Sequence, residues 1–270
     1  MLFIDEEYIE KLIEISREAG KAIMDIYNTD FKVATKQDKS PLTEADMISH
    51  KIISTSLFKL TPKIPVLSEE SSNISLSERS KWDKYWLIDP LDGTKEFINK
   101  NGEFTTNIAL IEENKPTFGI IFSPVLDEIY WGSSNEGSFM LRGDSMNDIK
   151  KIQVSEQSNT SVKIVTSRSH PSNDLSNLIE KIEAHEIIQI GSSLKFCLIA
   201  QGKADLYPRL GPTSEWDIAA GHAILKFAGG IIKILSGTEP EYNKRNLLNP
   251  YFIAGNNKNL LEQVTEKILI

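Results

Sequence analysis

Apolar residues recur at three- and four-residue steps from the start of the chain. Tyr8, Leu12, Ile15, Ala19, Ala22, Ile23 and Ile26 share one face, which predicts an amphipathic helix over residues 5–28. Asp5 stands where an N-cap belongs, and Glu6 and Glu7 suit the positive end of a helix. A short strand is expected near 31–35, then a loop from Gln37 to Pro41, then a second helix from Thr43 to about Phe58. Thr43 and Asp46 have the spacing of a capping box, and Pro62 and Pro65 end the helix.

The period then shortens. Pro65-Val66-Leu67 and Tyr85-Trp86-Leu87-Ile88 are short apolar runs, each ending abruptly in carboxylates. From 104 to 142, FTTNIALIE, PTFGIIFSP, EIYWGS and GSFMLRG alternate or run apolar between turn residues, which reads as an antiparallel meander. Beyond 151 strands and helices alternate. Strands are expected at 162–166, 186–190, 205–207, 231–235 and 251–254, and helices at 172–184, 193–202, 216–228 and 258–269. The polar stretch 143–160 divides the chain into an N-terminal half, 1–145, and a C-terminal half, 146–270.

Composition narrows the class. At 270 residues with 40% hydrophobic and 25% charged positions, the chain can bury a core without staples. A net charge of −8 disfavours a nucleic-acid polymer as partner, but leaves room for a small anion wherever bound cations reverse the local field. One cysteine, Cys197, rules out an intramolecular disulfide, and with four scattered histidines a closed zinc site is not expected. The acidic start MLFIDEEYIEKL is no signal peptide, and no run reaches the ~20 apolar residues of a membrane span. The expected location is the cytoplasm, with peripheral attachment to the inner face of the membrane left open.

Candidate chemistry concentrates in Trp86-Leu87-Ile88-Asp89-Pro90-Leu91-Asp92-Gly93-Thr94. Asp89, Asp92 and the Leu91 carbonyl can present oxygens to one point, the donor type that Mg²⁺ takes, although Asp-Pro and Asp-Gly also form ordinary turns. Glu69 and Glu70 abut an apolar run. Asp217 begins the helix DIAAGHAILKFAGG, either as its N-cap or as a ligand, and Asp46 is either a capping partner or a functional carboxylate. Trp82, Tyr85 and Trp86 are read as packing rather than as a stacking platform.

Four segments together resemble one family. K-x-x-x-x-P-x-T-x-A-D spans Lys36 to Asp46, S-E-E-S spans Ser68 to Ser71, D-P-L-D-G-T-K-E-F spans Asp89 to Phe97, and W-D-x-A-A-G spans Trp216 to Gly221. In this order and spacing they resemble the inositol monophosphatase superfamily of lithium-sensitive sugar and nucleotide phosphatases. The pair Lys95-Glu96 and the stretch Gly191-Ser192-Ser193-Leu194-Lys195 look like its bacterial 3'(2'),5'-bisphosphate nucleotidases, of the CysQ type.

The resemblance implies an α/β fold, a layered αβαβα sandwich with the active site between the two halves. It implies two or three Mg²⁺ ions: Glu69, Asp89 and the Leu91 carbonyl on one, and Asp89, Asp92 and Asp217 on the second. Thr94 and Asp46 would activate water, together with the third ion where three are bound, and Gly93 and Thr94 would cradle the phosphate. Lys195, with Ser192 and Arg209, would meet a second phosphate, although a helix lysine is also commonly solvated. His170 would approach the base or sugar, or sit on a loop surface. Glu69, Leu91, Asp92 and Asp217 would touch substrate as well as metal. The implied reaction turns adenosine 3',5'-bisphosphate into AMP and phosphate in support of sulfate assimilation, and the activated sulfate donor is a further implied substrate. The alternatives are an inositol or sugar phosphatase and a catalytically silent nucleotide binder. Family members occur as monomers and homodimers.

Overall fold

The computed structural model describes residues 4–35, 41–156, 161–169 and 173–269. The N-terminal part runs α1 (Glu6–Tyr27), β1 (Val33–Thr35), β2 (Pro41–Thr43), α2 (Glu44–Leu60), β3 (Val66–Ser68), α3 (Leu76–Arg79), β4 (Lys84–Asp92), α4 (Thr94–Ile98), β5 (Thr105–Glu112), β6 (Lys115–Ser123), β7 (Glu128–Ser133), β8 (Gly137–Arg142) and β9 (Lys150–Ile152). The rest runs β10 (Val162–Ser167), α5 (Asn173–Glu180), β11 (His185–Ile190), α6 (Leu194–Ala200), β12 (Leu206–Arg209), α7 (Glu215–Phe227), β13 (Ile231–Ile234), β14 (Phe252–Gly255) and α8 (Lys258–Leu269).

Among the described residues, β3 to β9 form a seven-stranded sheet in sequence order, and β11-β10-β12-β14-β13 form a five-stranded one. Side chains alternate across each strand, so each sheet feeds two cores. Trp86 and Ile88 of β4 pack with Leu12, Ile15 and Ala19 of α1 and Ile53 and Leu57 of α2. Tyr85 and Leu87 face the other way, onto Phe196 of α6 and Ile218, Ala219 and Ile224 of α7, where Tyr207 and Phe252 of the second sheet join them. Ile164, Leu206 and Ile253 on that sheet's outer face meet Leu175 and Leu178 of α5 and Leu261 of α8. The order is helices, sheet, helices, sheet, helices: the expected αβαβα sandwich.

Most expected elements are present, with differences of physical origin. Asp5 caps α1 by accepting from the Tyr8 N–H at 3.0 Å. The apolar face of α1 is rotated: Ile9 and Ile13 are buried, whereas Tyr8, Ala22 and Ile26 are only half-buried. The Asp89–Asp92 segment, expected as a turn after a strand, stays within β4, with Asp89 opposite Asn107 and Asp92 opposite Thr105 around an irregularity in register. α7 starts at Glu215 with Ser214 as its N-cap, so Asp217 is the third helical residue of a capping box rather than the cap itself. Tyr85 and Trp86 are buried in the two cores, as packing requires. No helix among the described residues is long and apolar enough to cross a membrane.

The central helix is seated by glycine. A Cβ on Gly119 would lie 2.5 Å from the Ala220 carbonyl oxygen, and one on Gly132 would lie 2.9 Å from the Ile224 Cα. These contacts are with backbone, which cannot rotate away, so α7 lies flush on β6 and β7. Gly119→Val should therefore lower stability by about 1–3 kcal/mol, the usual cost of overpacking a core. Urea unfolding of the two proteins checks this; an unchanged midpoint would mean that α7 is not seated as described.

Candidate active site

β3 and β4 run parallel and end side by side, which brings the short helical turn Glu69–Ser71 next to Asp89. Asp89, Leu91 and Asp92 follow one another along the end of β4. The first turn of α7 comes in from the C-terminal half with Asp217. Glu69, Asp89, Leu91, Asp92 and Asp217 line one cleft of about 460 Å³, together with Gly93, Thr94, Ser192, Lys195 and Arg209. Glu69 and Asp89 lie within hydrogen-bond reach of each other. Four carboxylates from three separate stretches of chain thus meet, as the sequence reading expected.

Their electrostatics record the crowding. Burial, then the charges of Glu69, Asp92 and Asp217, push the Asp89 carboxyl well above the usual range. Burial raises Asp92 to about 6, against the opposing pull of Lys195 and of Asn107. Asp217 rises to about 8 through burial, then Asp92 and Glu69. Asp92 and Asp217 keep part of their surface open to the cleft. They nevertheless lie deep enough that loss of water dominates.

Hydrogen bonds hold three of the acids in place. The Leu91 N–H donates to Asp89 Oδ1 at 3.1 Å, the Ser214 N–H to Asp217 Oδ2 at 2.8 Å, and Asn107 Nδ2 to Asp92 Oδ2 at 3.3 Å. Asp46 is both cap and site residue. Its Oδ2 takes the Thr43 N–H at 2.7 Å and the Thr43 hydroxyl at 2.6 Å, while its Oδ1 takes the Thr94 hydroxyl at 3.2 Å. Thr94 Oγ also lies 3.3 Å from the Leu91 carbonyl oxygen. Gly93 adopts φ +90 and caps α4, so the chain can turn sharply at the cleft floor.

A second wall of the same cleft is cationic. Lys195 is buried, with Nζ donating to the Ser192 carbonyl at 2.5 Å and the Ile190 carbonyl at 3.3 Å. Burial lowers its ammonium to about 8, although Asp92 pulls it back up. Arg209 donates from Nη2 to the Pro212 carbonyl at 2.9 Å, while its buried Nε–H has no hydrogen-bond partner among the described residues. An orphaned donor beside a buried ammonium is costly unless an anion arrives. Ser192 sits at φ +47, an uncommon backbone state for a side-chain-bearing residue.

Every site residue expected from the sequence lies at this cleft except two. Asp46 is one bond behind Thr94 rather than in the cleft lining. His170 lies outside the described residues, as does Lys36 at the head of the first motif. Sequence reasoning did not single out Asn107, Ser193 and Thr105, which share a buried network behind Asp92. Ser193 Oγ donates to Asn107 Oδ1 at 2.8 Å and lies 2.8 Å from Thr105 Oγ. Polar residues in an otherwise apolar strand, FTTNIALI, were the available signal.

The donor set suits a hard divalent cation. It is all oxygen, without thiol or imidazole, and burial and mutual repulsion raise Asp89, Asp92 and Asp217 despite the nearby cations. Among the described residues no three His, Cys, Asp or Glu side chains enclose a single point. The acids are strung along the cleft, so ions held there would share ligands and keep water, as Mg²⁺ commonly does.

The sequence pattern of the inositol monophosphatase family matches residues 5–269. The 3'(2'),5'-bisphosphate nucleotidase CysQ of Salmonella typhimurium is 46% identical over 247 residues, covering 90% of this chain and 98% of that protein. The crystal structure of CysQ from Bacteroides thetaiotaomicron is similar at TM-score 0.79 and 38% identity, covering 92% of this chain and 97% of that one. The inositol monophosphatase of Thermotoga maritima is similar at TM-score 0.80 and 25% identity, covering 97% of each chain.

The raised carboxyls set a pH dependence for the metal-free protein. Folded Asp217 and Asp92 hold protons that an unfolded aspartate, titrating near about 3.9, has released. Stability from this source is full below about pH 4 and is lost as pH rises to about 8. In EDTA, Asp217→Asn should melt several degrees above the wild type at about pH 8, with the gap closing near about pH 4. Calorimetric melting across that range is the check, and a variant less stable at the alkaline end would overturn the electrostatic account.

Proposed function

The chain belongs to the inositol monophosphatase family, and from that footing we propose that it is a metal-dependent 3'(2'),5'-bisphosphate nucleotidase. Its reaction would be the hydrolysis of adenosine 3',5'-bisphosphate to AMP and phosphate, in the cytoplasm and in support of sulfate assimilation. The observation that carries this reading is that one cleft has an oxygen-rich acidic wall and a cationic wall of buried Lys195 and half-buried Arg209. A ligand satisfying both carries two separate anionic groups: one delivered with cations to the acids, the other neutralising Lys195 and Arg209. A nucleoside bisphosphate has this form, whereas an inositol monophosphate leaves the second wall unmatched. The names of the curated relatives agree.

Glu69, Asp89, Asp92, Asp217 and the Leu91 carbonyl would hold two Mg²⁺ ions. Bound there, the ions would supply charge neutralisation of the phosphate and polarisation of water. The protein's own groups would do the rest. The Thr94 hydroxyl, tied to Asp46, would orient the attacking water, and Asp46 would accept its proton through that contact. Water oxygen bonds to phosphorus as the bond to the ribose 3'-oxygen breaks, and that oxygen takes a proton from solvent as it leaves. Gly93 and the start of α4 would receive the phosphate oxygens. Lys195, Arg209 and Ser192 would grip the second phosphate and align the ribose, so that binding far from the reacting bond fixes its orientation.

Phosphate release from adenosine 3',5'-bisphosphate and from inositol 1-phosphate, each with Mg²⁺ and with EDTA, tests this reading. Mg²⁺-dependent preference for the nucleotide is expected, with inhibition by lithium. Preference for the inositol ester would leave a sugar-phosphate phosphatase instead, and no release from either would leave a silent binder. Asp89→Asn should lower kcat by at least about 10²-fold, the scale seen when a preorganised electrostatic group is removed, without changing the far-ultraviolet circular dichroism. Near-normal Mg²⁺-dependent turnover would refute the ligand role. Lys195→Met should raise KM for the bisphosphate by about 10- to 100-fold, the value of a hydrogen bond to a charged group, and barely alter turnover of inositol 1-phosphate. Steady-state kinetics on both substrates separates the two effects.

A further inference from the structure

Away from the reacting end, the two walls of the cleft are fastened to each other at the rim. Glu103, between α4 and β5, accepts from Arg168 Nε at 2.8 Å and from Arg168 Nη2 at 2.7 Å. The same carboxylate accepts the Gly191 N–H at 2.8 Å. Arg168 Nη2 also donates to the Gln189 carbonyl at 2.8 Å, and the Ser169 hydroxyl donates to Glu96 Oε1. Glu96 is buried and lines the cleft. At Gly191 a Cβ would lie 2.6 Å from Glu96 Cγ and 2.7 Å from the Glu103 carbonyl oxygen, so the approach is as close as backbone allows.

The location gives these contacts their significance. Ser167 ends β10 and Ile190 ends the parallel neighbour β11. Just past those ends come Arg168, Ser169 and Gly191, then Ser192 and Lys195 of the cationic wall. Glu96 lies in α4, two residues after Thr94, and Glu103 lies in the loop that leads from α4 into β5. An exposed ion pair adds little to global stability, and Arg168 is 43% exposed. A two-pronged guanidinium–carboxylate contact does, however, fix relative orientation.

We infer that Glu96 and Glu103, gripping Arg168, Ser169 and Gly191, are positioning residues that hold the two walls at a fixed separation and so select a substrate long enough to span both. The inference rests on the bisphosphate reading. The clasp touches none of the hydrogen bonds that orient Asp89, Asp92, Asp217 or Asp46, so loosening it leaves the reacting end assembled. What weakens is the grip on the part of the substrate that does not react, which raises KM and spares kcat. A small ester that never reaches Lys195 does not sense the change.

Arg168→Ala, Glu103→Gln and the double variant test this in steady-state kinetics with Mg²⁺, using adenosine 3',5'-bisphosphate and p-nitrophenyl phosphate. Each single variant should raise KM for the bisphosphate by about 10-fold, the value of one hydrogen bond to a charged group, with kcat and the small-ester kinetics unchanged. The double variant should be no worse than either single one, because both break the same contact, and Arg168→Lys should recover part of the loss. Equal losses on both substrates, or none on either, would overturn the clasp while leaving the enzyme a nucleotidase. A wild-type protein that ignores the bisphosphate would instead overturn the functional reading, and the clasp's selective role with it.

Discussion

Four carboxylates crowded into one cleft are the constraint around which this fold is arranged. Like charges at the base of a buried site repel, and each loses water that would otherwise stabilise it. The protein does not lessen the cost by spreading them apart. It fixes three of the four with backbone or amide donors: Leu91 N–H on Asp89, Asn107 on Asp92 and Ser214 N–H on Asp217. The remaining imbalance is what a divalent cation would relieve, and binding of that cation would return the energy to the folded state. Destabilisation in the metal-free form and affinity for metal are two aspects of the same charge arrangement.

Such an arrangement needs rigid support from distant parts of the chain. Asp89 and Asp92 are carried on a central strand whose two faces feed different cores. Asp217 arrives on a helix that rests on glycine strands, where backbone meets backbone. The support continues behind the acids. Asn107 joins Asp92 to Ser193, and Ser193 starts the segment that holds Lys195. The acidic and cationic walls are thereby linked through one buried amide, and again at the rim through Glu103. A ligand bridging the walls enters a site whose width is set on both sides of it.

The site was more legible in the sequence than its supports. Acidic pairs at the ends of apolar runs, such as Glu69 after Val66-Leu67 and Asp89 after Trp86-Leu87-Ile88, are visible because a carboxylate next to a buried strand is energetically conspicuous. The strand and helix pattern of the second half was visible for a similar reason, since period and burial agree there. Less visible was anything depending on which residues face one another. Asp89–Asp92 reads locally as a turn, and only pairing with β5 keeps it extended. Asp217 reads as a helix cap until Ser214 takes that position. Glu103 and Arg168 carry no signal at all, because 65 residues separate two ordinary surface charges.

Asp46 shows why competing local and functional readings need not exclude each other. A carboxylate has two oxygens. One closes the capping box with Thr43, which fixes the start of α2 and the direction of the side chain. The other is thereby aimed at the Thr94 hydroxyl. Without the cap, the aspartate would lose the two bonds that fix this orientation toward Thr94. Asp217 repeats the design at α7, where the Ser214 N–H holds one oxygen and leaves the other to the cleft. In both cases an ordinary helix start orients a side chain for chemistry at low entropic cost, so the structural role is the means by which the functional one is met.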